Sequence, residues 1–219
     1  MHDGHILTYI GSPEDASIAV LTLHGRGDSA RGILGLAGML STEHTLYAAP
    51  EAEGNSWYPH SFLMPLERNE PYLSSALEAV GDALGELEKA GFARENIVLL
   101  GFSQGACLAL EYSARNATRY GGVIALSGGL IGPEGTPRDY AGSLDRTPVF
   151  LGCSDVDAHI PEARVMESAG VMNRLGGDVD ARIYPGMGHT VNEEELAAAR
   201  AIIENARNRD DSKDDSKNV

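Results

Sequence analysis

The sequence predicts an α/β fold: one domain over residues 1–207, built on a mainly parallel sheet with helices on both faces. Three observations carry that expectation. Apolar runs of strand length alternate with segments of helical period, as expected when each strand is followed by a covering helix. The inner runs are apolar almost without interruption, which is what a strand buried on both faces requires. The length of 219 residues suits one ordinary domain, large enough to form a core without a disulfide or metal staple.

The elements follow in order. A first strand is expected at 6–10 and a second, Ile-Ala-Val-Leu-Thr-Leu, at 18–23. Asp28 and Ser29 can cap a helix that starts at Ala30. A third strand at 45–49 leads into a long segment, 50–70, that carries Trp57, Tyr58, His60, Phe62 and Met64. The helix at 71–91 opens with a proline, stops at a glycine and aligns Leu73, Leu77, Val80, Leu84 and Leu87 on one face. Strand 97–102 runs straight into helix 103–116, and strand 122–126 into a Gly-, Pro- and Ser-rich segment at 127–147. Strand 149–152, helix 161–175, strand 179–184 and helix 192–207 complete the domain, with Asn192 as N-cap and acids in the last helix's first turn. The closing 208–219, Asn-Arg-Asp-Asp-Ser-Lys-Asp-Asp-Ser-Lys-Asn-Val, is charged and lacks apolar residues before Val219, so a disordered tail is expected there. Both long segments follow strands. They should therefore emerge at the carboxyl edge of the sheet, where open α/β folds hold their ligands.

Charge narrows the partners. Lys and Arg number 17 against 32 Asp and Glu, a net −15, and the only lysines are Lys89, Lys213 and Lys217. Such a surface repels phosphate backbones and anionic headgroups, so neither nucleic acid nor stable membrane association is expected. No apolar run approaches the roughly 18 residues of a spanning helix. The opening His2-Asp3-Gly4-His5 lacks the basic start of a secretory leader, which points to a cytoplasmic protein. Cys107 and Cys153 lie in apolar stretches and read as buried free thiols. A homodimer is the one self-assembly left open.

The chemistry starts at Gly101-Phe102-Ser103-Gln104-Gly105-Ala106. A strand before and a helix after G-x-S-x-G form the context of a nucleophile elbow, in which a tight turn exposes the serine hydroxyl at a helix N-terminus. A serine nucleophile needs a base, and the base an orienting acid, in the chain order Ser, Asp or Glu, His. Two histidines follow Ser103. His189, in Pro185-Gly186-Met187-Gly188-His189-Thr190, sits in a glycine-flanked loop that can bring it over the hydroxyl, whereas His159 reads as a site-lining or exposed residue. Asp155 and Asp157, both just after a strand, are the candidate acids. In His24-Gly25-Arg26-Gly27-Asp28 the glycines let the Arg26 N–H face a developing oxyanion, with the Gln104 N–H as second donor. His24 precedes the serine and is rejected as base. Trp57, Tyr58, Phe62 and Met64 are expected to line an acyl or aromatic pocket.

These motifs, in this order and at these intervals, resemble the phospholipase/carboxylesterase family of α/β-hydrolases, the group that includes acyl-protein thioesterases and lysophospholipases. The resemblance covers nearly the whole chain except the tail. It implies an α/β-hydrolase fold. No long insertion follows strand 122–126, so a cap domain is expected to be minimal or absent. Asp155, Asp157 and His159 have a spacing that could hold a metal, but a triad already accounts for these residues, so no metal or cofactor is expected. The family's acid stands in a D-x-x-V-P-like motif, which falls on Asp157 with Ile160 and Pro161, leaving Asp155 to brace the turn. Gly152-Cys153-Ser154-Asp155 departs from the family's more usual His-Gly start to that turn. Residues 56–77 are similar to a bacterial and archaeal subgroup, some of whose members are linked with ring-cleaving dioxygenases. The implied activity is hydrolysis of a small-molecule ester, with thioesters or lysophospholipids as alternatives and a non-catalytic ligand-binding role as a third.

Overall fold

In the computed structural model, residues 1–40 and 43–215 are described. Seven strands form one sheet: β1 (Leu7–Ile10), β2 (Ile18–Leu23), β3 (Thr45–Pro50), β4 (Ile97–Phe102), β5 (Gly122–Leu126), β6 (Pro148–Ser154) and β7 (Asp178–Tyr184). Their spatial order is β1-β3-β2-β4-β5-β6-β7, with β1 antiparallel to β3 and every other pair parallel. The longer helices are α3 (Tyr72–Lys89), α4 (Gln104–Arg115), α5 (Glu162–Arg174) and α6 (Glu193–Asp215), and two single turns, α1 (Ala30–Ile33) and α2 (Ala37–Leu40), follow β2. The segment after Ala30 is broken into such short pieces because Gly32, Gly35 and Gly38 recur every third residue, and glycine weakens a helix interior.

Alternation along the strands divides the core in two. Ala19, Leu21 and Leu23 of β2 and Ile97 and Leu99 of β4 join the cluster on the face of α3, α4 and α5. Ile18, Val20, Val98 and Leu100 join the opposite cluster with Leu196, Ala199 and Ile203 of α6. The central strands are buried on both faces, so they lack a polar face. From β2 the chain adds β3 on one side and then crosses back to add β4 on the other, so β2 and β4 flank the topological switch point. Their carboxyl ends carry Gly25-Arg26 and Ser103, on opposite sides of the crevice where such sheets bind ligands.

One expectation changes. The last helix does not stop at Arg207: α6 runs on to Asp215, taking in most of the segment expected to be a disordered tail. No glycine or proline interrupts 193–215, so the helix continues at small cost, and Arg209 donates to the Gly121 carbonyl at 2.9 Å. Residues 216–219 of that segment lie outside the described residues. The 50–70 segment carries short-range structure of its own. It contains short 3-10 turns at Glu53–Asn55 and Leu66–Arg68, and the buried Asn69 side chain accepts from the His60 N–H and donates to the Ser61 carbonyl.

Candidate active site

The site begins with a steric constraint. A Cβ on Gly101 would lie 2.3 Å from the Gly105 backbone, and one on Gly105 would lie 2.0 Å from the Leu23 carbonyl oxygen. Only glycine fits at either position, because β4, the start of α4 and the end of β2 meet backbone to backbone there. Between them Ser103 adopts φ 54° and ψ −116°, a left-sided conformation that a non-glycine residue takes only under constraint. Its backbone is tied on both sides: Ser103 N–H donates to Leu126 O, and its carbonyl accepts from Cys107 N–H. The result presents the hydroxyl at the mouth of a cleft, just before the N-terminus of α4.

Three side chains from three connections meet there. His189 Nε2 lies 2.9 Å from Ser103 Oγ, and His189 Nδ1 lies 2.7 Å from Asp157 Oδ2. An Nδ1–H that donates to the carboxylate leaves Nε2 free to accept the serine proton. The Asp157 side chain is fully buried, whereas that of His189 is about one-fifth exposed. Burial works to raise the Asp157 carboxyl, but hydrogen bonds from His189 and from the His159 and Ile160 N–H groups outweigh it and hold the group below its usual range. Asp155 points elsewhere: its Oδ1 accepts from Gly186 N–H at 2.7 Å and braces the loop that carries His189. Ser154 Oγ accepts from Gly188 N–H in the same loop. The His189 ring itself packs between Phe102 and His159, with centroids 5.0 and 4.9 Å away.

Arg26 and Gln104 both border the cleft, and their side chains tie down a neighbouring segment. Gln104 is the first residue of α4, so its N–H has no acceptor within the helix. Its buried side chain accepts from Trp57 N–H at 2.9 Å and donates to the Tyr58 carbonyl at 2.8 Å. The Arg26 guanidinium donates to Ser56 Oγ and to the Pro59 and His60 carbonyls. The two side chains thus clamp the 56–60 segment against the serine turn. The sequence reading missed these contacts, because each joins residues 30 to 47 positions apart and no local spacing marks them.

The four residues expected to line a pocket are placed differently. Tyr58 and Phe62 border a cleft of about 560 Å³, together with Pro59, His60, Phe102, His159 and Ile160. Trp57 does not line it. Its ring is completely buried against His24, and its Nε1–H donates to the His24 carbonyl, which turns it inward to fill the core. Met64 faces solvent on the outer side of the 61–64 turn. Phe102 and Ile160 were the missed apolar members; both adjoin residues that the motifs had already singled out. His24 is fully buried, held between the Gly25 carbonyl and the Ala52 N–H, so it cannot reach the cleft. Both cysteines are free and buried, and burial pushes each thiol up to about 12. Among the described residues no helix is long and apolar enough to cross a membrane.

A mostly parallel sheet that brings a serine elbow to its switch point defines an α/β hydrolase. Residues 8–206 match the sequence profile of the family described as Phospholipase/Carboxylesterase, and the chain belongs to that family and is a hydrolase. It is 27% identical over 217 aligned residues to acyl-protein thioesterase 1 of Saccharomyces cerevisiae, covering 87% of this chain and 93% of that protein. A shorter match to acyl-protein thioesterase 1 of Gibberella zeae is 35% identical over 117 residues, 52% of this chain and 49% of that one. The crystal structure of a phospholipase/carboxylesterase from Dyadobacter fermentans superposes with a TM-score of 0.88 at 40% identity, covering 93% of this chain and 97% of that one.

Proposed function

We propose that the protein is a serine esterase that cleaves carboxylic esters of small or soluble acyl or aromatic substrates through an acyl-enzyme. The observation that carries this reading is the unbroken hydrogen-bond run from Ser103 through His189 to Asp157. Ser103 Oγ attacks the ester carbonyl while His189 Nε2 takes its proton. Asp157 holds the ring in the tautomer that can do so and balances the imidazolium. The amides of Arg26 and Gln104 stabilise the oxyanion; losing one such donor typically costs about 10²- to 10³-fold in turnover. His189 then protonates the departing alcohol, and water activated by the same ring releases the acid.

An open cleft, with no covering domain among the described residues, favours small substrates. Phe62, Phe102 and Ile160 supply its apolar contacts, and no enclosed tunnel is needed for the acyl group. A second reading, hydrolysis of acyl-thioesters, is favoured by the names of the fungal relatives, and it uses the same residues. The test has two parts. A fluorophosphonate probe should label Ser103 covalently; an unlabelled protein would instead support a ligand-binding role. A profile across p-nitrophenyl esters of graded chain length, acyl-thioesters and lysophospholipids should peak at short esters. A peak at long acyl-thioesters would favour the second reading.

A further inference from the structure

Three of the seven histidines, His60, His159 and His189, border one cleft. The proposed chemistry uses only His189. His159 is placed with unusual definition, because the carboxylate that holds the base also holds this residue. Asp157 Oδ2 takes the His189 ring N–H, while Oδ1 accepts from the backbone N–H of both His159 and Ile160, at 2.8 and 3.0 Å. The two imidazoles therefore meet edge to face, 4.9 Å apart at 68°. Phe102 already packs against His189. Support for the base alone could have come from another apolar ring. The His159 ring also makes no hydrogen bond within the described residues, so its N–H is available to a ligand.

The polar lining around it is rich in nitrogen donors. Beside the base, the cleft gathers two further imidazoles, His60 and His159, and Arg26, whose guanidinium holds the 56–60 segment. Its one acid, Asp28, has its carboxylate turned over the backbone of Gly32, where a Cβ would lie 1.8 Å from Oδ1. A cleft that joins these donors to a single exposed acid, its carboxylate set over Gly32, suits an anion better than a cation.

We propose that His159 is a specificity-determining residue that hydrogen-bonds a carboxylate carried on the leaving-group half of the ester. The inference rests on the reading of Ser103 as nucleophile and His189 as base. In that reaction the carbonyl oxygen turns to the Arg26 and Gln104 amides, and the leaving oxygen must face His189 Nε2 to be protonated. A substituent on the leaving group then extends past the His189 ring, along the side that His159 flanks. The substrate class is thus an ester of a hydroxy acid, such as a hydroxybenzoate.

The test compares 4-carboxyphenyl butyrate with 4-carbamoylphenyl butyrate, which match in shape and differ in charge, on the wild-type protein, His159→Gln and His159→Phe. The wild type should favour the carboxylate ester by about tenfold in kcat/KM, the scale of one hydrogen bond to a charged group. In His159→Phe, which keeps a ring against His189, that ratio should fall to about one, with the loss appearing in KM for the carboxylate ester. His159→Gln should retain part of the preference, because it keeps a donor. A wild-type ratio at or below one overturns the proposal, as does a ratio unchanged in His159→Phe, which would leave His159 a packing residue only. A carboxylate preference found instead for phenyl monoglutarate over phenyl valerate would overturn its placement on the leaving-group side. Absence of fluorophosphonate labelling at Ser103 overturns the esterase reading and this one together. Labelling with no charge preference overturns this one alone.

Discussion

The turn after β6 and the first turn of α6 each bury a carboxylate beside the loop that carries His189, yet they leave those carboxylates in opposite states. Asp157 receives three N–H donors, one from the His189 ring and two from the backbone, and is held below its usual range despite burial. Glu195 is equally inaccessible, but only the Asn192 N–H reaches its Oε2, and Oε1 has no hydrogen-bond partner among the described residues. Burial therefore wins, and the group is pushed up to about 7. Depth does not decide whether a carboxylate stays charged; the number of donors aimed at it does. One group is equipped to balance a cation, whereas the other serves as half of a reciprocal helix cap with Asn192.

The comparison can be tested from its strongest consequence downward. Ser103→Ala should lower ester hydrolysis by about 10⁴- to 10⁶-fold with little change in Tm, since one oxygen is lost at a turn that the neighbouring backbone holds. Steady-state kinetics with thermal melts checks this, and retained activity in contaminant-free protein would remove Ser103 from its role. Asp157→Asn should cost about 10⁴-fold in kcat, because an amide can donate to His189 and select the wrong tautomer. Asp155→Asn should cost less than about tenfold, since the amide oxygen can still accept from Gly186 N–H. If the Asp155 variant proves the more damaging, the roles of the two acids are reversed.

The smallest effect concerns Glu195→Gln and is read in stability. An acid whose folded value lies above its unfolded one binds more protons when folded between the two values. Wild-type stability should therefore fall relative to the variant as pH rises from about 4.5 to about 7, and the difference should be flat above that. Melting curves of both proteins from pH 4.5 to 8 would show it. A difference in Tm that does not vary with pH would mean that Glu195 ionises normally, and the contrast with Asp157 would collapse.

Much of the fold was legible because its signals are short-range. Strand and helix positions come from periodicities of two and 3.6 residues, and the seven strands lie within two residues of their expected bounds at each end. At the far end of the last helix, charge points to a tail while the absence of Gly and Pro permits a helix, and α6 runs to Asp215. For the site, residue types and chain order pointed to Ser103, His189 and a choice of two aspartates. Which aspartate faces His189 depends on how the turn after β6 folds back, and two residues of spacing do not encode that direction.

The sequence by itself determined the alternation of strands and helices, the two-sided burial of the central strands, and the glycines at 101 and 105. Each follows from sterics or hydrophobic pattern within a few neighbouring residues. Only the tertiary structure decided that Trp57 and Tyr58 are buried in the core while Phe62 stays at the rim of the cleft. It also decided that Gln104 and Arg26 clamp the 56–60 segment, and that Asp157 and Glu195 differ in their affinity for a proton. Those outcomes depend on donors, acceptors and packing surfaces brought from distant parts of the chain. A side chain's direction and its charge are settled by the neighbours that the fold supplies.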